Sequence, residues 1–192
     1  MRLIFGAVIA LLTMGYIRAA EIRDFDLNTI ESLGRQLYEN RHQNPKSLRN
    51  AEARALRVTQ NVIKDKIDSS YQFVVLRDPN AKGYLVYALA TSENSTDVAF
   101  GGHFRVTISV NGEKVQKVDA LSLGSNVVKK TDPSRRGETP SALWVICLVS
   151  KKPLETHVYL NLLHGLPVYV GTPDRAIWKV ENGRIKTQRG PQ

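Results

Sequence analysis

Apolar and polar residues alternate most regularly between Val98 and Leu121. Val98, Phe100, Gly102, Phe104, Val106, Ile108 and Val110 take every second position, with Ala99, Gly101, His103, Arg105, Thr107 and Ser109 between them. A period of two sends the two sets to opposite faces, so a long strand is expected. Asn111-Gly112 follows, and that dipeptide suits a two-residue type I′ turn, whose central residues both need positive φ. Counting across the turn sets Ile108 against Val115 but Val106 against Lys117, while the apolar positions move to Val118, Ala120 and Leu121. A β-bulge supplies a single-residue slip of this kind, and one is predicted near Gln116-Lys117.

Upstream the period is helical. Leu27, Ile30, Leu33 and Leu37 follow the N-cap candidates Asp24, Asp26 and Asn28, and Pro45 limits this first helix. Ser47 opens a second, with Leu48, Ala51, Ala55, Val58, Val62 and Ile63 on one face and Glu52, Arg54, Arg57, Lys64 and Asp65 largely on the other. It is expected to stop by Asp68-Ser69-Ser70. Tyr71–Arg77 and Tyr84–Thr91 read as strands around an Asp78–Gly83 turn.

Downstream, Trp144–Val149 is apolar on both faces and reads as a central strand. Glu155–His164 fits a short helix closed by Gly165, and the alternation of Val158, Leu160 and Leu162 also fits a strand; leucine content and the Gly-Pro punctuation that follows favour the helix. Leu166–Gly171 is a strand, a last hairpin runs over Glu181-Asn182-Gly183, and Lys186–Gln192 is a polar tail. The pattern predicts an α+β fold: two N-terminal helices packed on a curved, mostly antiparallel sheet of about six strands. That order resembles cystatin-like and NTF2-like folds in architecture alone, since no motif of either family is present.

The N-terminus changes the reading of charge and compartment. Arg2 precedes the uncharged apolar run Leu3–Ile17, and small residues follow at Ala19-Ala20. This reads as a secretory signal peptide over residues 1–19, leaving a single domain at 20–192. The apolar run is shorter than the roughly 20 residues of a comfortable membrane span. No transmembrane segment is therefore expected after cleavage, and the location is periplasmic or extracellular. Losing Arg2 and Arg18 lowers the net charge from +9 to +7, still basic. Anionic partners in that compartment are envelope polymers, lipid headgroups or an acidic protein, and nucleic acid is disfavoured there. The basic side chains concentrate in a Gly, Ser and Pro-rich loop at 123–140, where Lys129, Lys130, Arg135 and Arg136 form a candidate anion-binding patch.

Candidate chemistry is sparse. The lone Cys147 excludes an intramolecular disulfide and a zinc ribbon, and its apolar setting reads as a buried thiol. No G-x-S-x-G elbow, H-E-x-x-H pair or phosphate-binding glycine loop occurs. No metal or cofactor is implied. His103, Arg105 and Thr107 share one face of the long strand and form the candidate ligand-binding set, with His103 the candidate general base. An exported, non-enzymatic interaction protein is the expected function. The alternative is a small ligand-binding or hydrolytic enzyme with a pocket between helices and sheet that uses His103.

Overall fold

The computed structural model describes residues 21–67, 70–92, 94, 97–125, 127–129 and 141–190. Residues 1–19, expected to be a signal peptide, lie outside these residues. The fold is α+β, with helices α1 (Leu27–Glu39), α2 (Asn50–Ile63) and α3 (Glu155–His164). The strands are β1 (Tyr71–Arg77), β2 (Gly83–Ala90), β3 (Asp97–Ala99), β4 (Phe104–Ser109), β5 (Val115–Ala120), β6 (Val127–Lys129), β7 (Leu143–Ile146), β8 (Val168–Gly171), β9 (Ile177–Glu181) and β10 (Arg184–Arg189).

The helices begin and end as their capping chemistry dictates. Asp26 accepts the Thr29 N–H at 2.9 Å and starts α1, and the Glu52 carboxylate takes the Arg49 N–H at 2.9 Å at the head of α2. Gly165 closes α3 with φ 66° and donates its N–H to the Asn161 carbonyl.

The strands form two four-stranded sheets and a β3–β6 pair, in place of the single sheet expected. The first sheet is an antiparallel meander in the order β1-β2-β4-β5. The second has the order β10-β9-β8-β7, and its β7–β8 pair is parallel. A parallel pair needs a crossover, and α3 supplies it. The physical reason for two sheets lies in this helix. It is buried along Glu155–Asn161 and packs with α1 between the sheets, so neither sheet can close over the other.

On its other face the first sheet buries Val75, Tyr84, Val86, Ala88, Val106 and Ile108 against Ala55, Leu56 and Ile63 of α2. The layers are therefore α2, first sheet, α1 with α3, and second sheet. The α1–α3 crossing is close enough that a Cβ on Gly34 would stand 2.4 Å from Val158 Cβ and 2.8 Å from the Glu155 carbonyl oxygen.

The long alternating stretch is interrupted. Gly102 adopts φ 82°, so Val98 belongs to β3 and only Phe104–Ser109 continues as β4. The bulge sits where the alternation slips: Thr107 pairs with Lys117 and Ile108 with Val115, leaving Gln116 extra. The turn at its other end is not the expected two-residue form. Ser109 N–H closes on the Lys114 carbonyl, and Gly112 has positive φ while Asn111 does not. The type I′ chemistry appears instead at Asn182-Gly183, with φ values of 51° and 70°.

Candidate functional site

The polar face of β4 and of His103 just before it points into the helix layer, where His103 and Arg105 are taken up by structural contacts. His103 is buried; its Nδ1 accepts the Ala90 N–H at 3.0 Å and its Nε2 meets the Ala99 carbonyl at 2.9 Å. One acceptor and one donor are what a neutral imidazole offers, so the ring ties the ends of β2, β3 and β4 together. Burial lowers its pKa to about 4, against the opposing pull of the Ala99 carbonyl. A general base needs a nitrogen free to reach substrate, and both of these are held by backbone.

Arg105 is the centre of a buried ionic cluster. Its Nη1 lies 2.6 Å from Glu155 Oε1 and its Nη2 2.8 Å from Asp119 Oδ2, while Nη2 also donates to the Arg23 carbonyl. Tyr87 Oη donates to Glu155 Oε1 at 2.9 Å. Burial opposes the guanidinium charge, but Glu155, Tyr87 and Asp119 together hold its pKa above the ordinary arginine value. Burial and the Glu155 charge push the Tyr87 hydroxyl well above its ordinary value. Phe25 lies beneath two guanidinium groups, with Arg23 and Arg105 centred 4.9 Å and 4.8 Å from its ring. Arg23 in turn grips Asp78, with Nη2 to Oδ1 at 2.8 Å. The cluster thus straps residues 23–25 onto the first sheet and joins that sheet to the head of α3. Thr107 is also buried, and its hydroxyl has no partner among the described residues.

Lys129 ends β6 by its backbone, while Lys130, Arg135 and Arg136 lie outside the described residues. Cys147 is buried, and burial raises its thiol pKa. His157 is buried with Nδ1 accepting the Leu154 N–H at 2.9 Å, and burial followed by the proximity of His103 lowers its pKa to about 3. Among the described residues, no three His, Cys, Asp or Glu side chains gather into a metal-binding group.

The accessible feature lies on the outer face of the second sheet. Trp144, Ile146 and Leu148 alternate with buried Leu143 and Cys147 and are 63%, 72% and 57% exposed. Trp144 stacks on its register partner Tyr169, with ring centroids 4.5 Å apart and planes 12° from parallel. The same cross-strand row continues through Lys179 to Lys186, so it runs from aromatic to basic. Beside β7 lies a cleft of about 200 Å³, lined by Phe100, Leu121, Val145, Cys147 and Val149, with exposed Leu123 at its rim.

Sequence reasoning missed this surface because a strand apolar on both faces reads as fully covered. No protein-family model, curated protein or solved structure matches this chain.

Proposed function

We propose that this chain is an exported interaction protein that holds a partner against the outer side of its second sheet. The observation that carries the reading is the row Trp144, Ile146 and Leu148, three large apolar side chains exposed along β7 and just beyond its end. A monomeric protein seldom leaves a contiguous apolar strip in water, because burying each such side chain is worth on the order of 1.5–3 kcal/mol. His103, the residue on which an enzymatic alternative turned, and Arg105 are committed to holding sheets and helices together. The apolar run Leu3–Ile17 supports export.

Site-specific photo-crosslinking in the producing cell tests the reading. A benzophenone side chain at Ile146 is expected to give discrete covalent adducts, and the same group at exposed Arg57 of α2 is expected to give none. Absence of adducts from position 146 would overturn the proposal. Export has its own check: mass spectrometry of the secreted protein is expected to find an N-terminus at Ala20 or Glu21, and an intact Met1 would refute cleavage.

A further inference from the structure

The two large sheets have four outer edges, and three of them are blocked. On β1, the Gln43 side-chain amide imitates a neighbouring strand: its Oε1 accepts the Val75 N–H at 2.9 Å and its Nε2 donates to the Val75 carbonyl at 3.3 Å. On β5, the bulge at Gln116 breaks the edge, and residues 21–23 lie beside it through Lys117 Nζ to the Glu21 carbonyl at 2.6 Å and Arg23 N–H to Asp119 at 3.2 Å. On β10, Glu31 Oε1 accepts the Ile185 N–H at 2.7 Å, and Arg184, Lys186 and Arg189 add charge. These are devices by which proteins prevent edge-to-edge pairing.

The fourth edge, β7, carries none of them among the described residues. Leu143 donates its N–H to the Pro167 carbonyl and Cys147 to the Gly171 carbonyl, both on the β8 side. Residues two apart point the same way along a strand, so the N–H and C=O groups of Trp144 and Ile146 face outward. Ser141–Ser150 contains no charged residue, in a chain whose net charge is +9. At the β10 edge, two copies would bring arginine and lysine against their own images. At β7 they would meet with no like-charge repulsion.

We infer that β7 is the seam of a homodimer, in which the β7 strands of two copies pair antiparallel about a two-fold axis at Val145. This rests on the reading that the outer side of the second sheet is an interface. In that register Trp144 exchanges both backbone hydrogen bonds with the second copy's Ile146, and the reverse pair repeats the exchange, so all four outward-facing residues are satisfied. Trp144 then lies across from Ile146 on the outer face, an aromatic and β-branched cross-strand pair. Val145 faces its own image in the closer, non-hydrogen-bonded position. The result is one continuous sheet of eight strands, and the pairing is isologous and closed.

Cysteine pairing reads the register directly. Closely spaced antiparallel partners have Cα atoms about 4.5 Å apart, inside the disulfide range of roughly 4.4–6.8 Å. Val145→Cys in a Cys147→Ser background is expected to form a reducible dimer under mild oxidation. Trp144→Cys in the same background, diagonal to its own image, is expected to give at least tenfold less. Sedimentation of the full mature chain is expected to show its mass doubling with concentration. Ile146→Lys is expected to abolish that doubling while leaving the melting temperature measured at concentrations where the chain is monomeric unchanged, since the side chain is exposed in the single chain. A chain that stays monomeric at every concentration and forms no Val145→Cys dimer overturns the inference. If Ile146 then still crosslinks to a different protein, the edge takes a foreign strand and the proposed function stands. If it crosslinks to nothing, both fail.

Discussion

At the scale of single residues, the buried charges decide more than any surface group. Arg105 is matched by two carboxylates; removing it takes the guanidinium from buried Glu155 and leaves Asp119 to Lys117 and the Arg23 N–H. Arg105→Met is expected to cost about 3–5 kcal/mol, the usual penalty for breaking a buried ion pair from one side. Urea denaturation at neutral pH measures it, and a loss under about 1 kcal/mol would show that the cluster contributes little. The histidines set a second expectation. His103 and His157 are neutral in the fold, with pKa values lowered from 6.5 to about 4 and about 3, and they accept protons near pH 6.5 once unfolded. Their contribution to stability is therefore complete above pH 6.5 and is lost as pH falls through the window down to about 4 and about 3. His103 alone accounts for about 2 kcal/mol between pH 7 and pH 5. His103→Gln is expected to be less stable at pH 7, yet to lose about 2 kcal/mol less on acidification; an equal loss in both proteins would refute the assignment. None of this was visible in the local pattern around β4. Asp119 and Glu155 stand 14 and 50 residues from Arg105 in the chain, and alternation reports which face a side chain takes without reporting what that face meets.

At the scale of elements, close contacts and edge caps replace pattern as the controlling features. Gly34 is the contact point of α1 with α3. Alanine there gains about 1 kcal/mol in helix propensity. The added methyl, however, meets Val158 Cβ at 2.4 Å and a backbone carbonyl at 2.8 Å, which cannot both move aside. Gly34→Ala is expected to destabilise the protein by about 1–3 kcal/mol net, seen as a lowered urea midpoint. Gln43→Ala removes both hydrogen bonds to buried Val75 and is expected to cost about 1–3 kcal/mol. The elements themselves were largely legible. α1, α2, the β1–β2 and β4–β5 hairpins, the bulge at Gln116, α3 and the last hairpin all follow from local period and turn residues, because each is stabilised by neighbours in sequence. What local signals do not carry is the break at Gly102, which follows from the separate pairing of β3 with β6, and the parallel β7–β8 contact, which depends on where α3 packs. Misplacing β7 as a central strand has the same origin. Leu143 and Cys147 are covered and Trp144 and Ile146 are not, but all four are apolar, so composition cannot distinguish the covered face from the open one.

At the scale of the molecule, the two sheets share one core, and this governs how the structure comes apart. Phe25, Ile30, Leu33, Leu85, Tyr87, Val158, Leu160, Val168, Val170 and Val180 form one buried cluster that spans the first sheet, the α1–α3 layer and the second sheet. The Arg105–Glu155 pair crosses the same boundary between the first sheet and α3. Separating the sheets would expose apolar surface on both sides of the helix layer and leave that ion pair broken, so no stable half-structure is available as an intermediate. Both tryptophans, Trp144 and Trp178, belong to the second sheet, so their fluorescence reports on that sheet alone, whereas far-UV circular dichroism averages over every element. The two signals are expected to share one urea midpoint. The sharper test couples a change in one sheet to a probe in the other: Arg105→Met lies on β4 of the first sheet, and it is expected to lower the tryptophan midpoint as much as the dichroism midpoint. A tryptophan midpoint unmoved by that substitution would mean the sheets unfold separately. The α3 layer would then be a hinge between two units, not the shared centre of one cooperative fold.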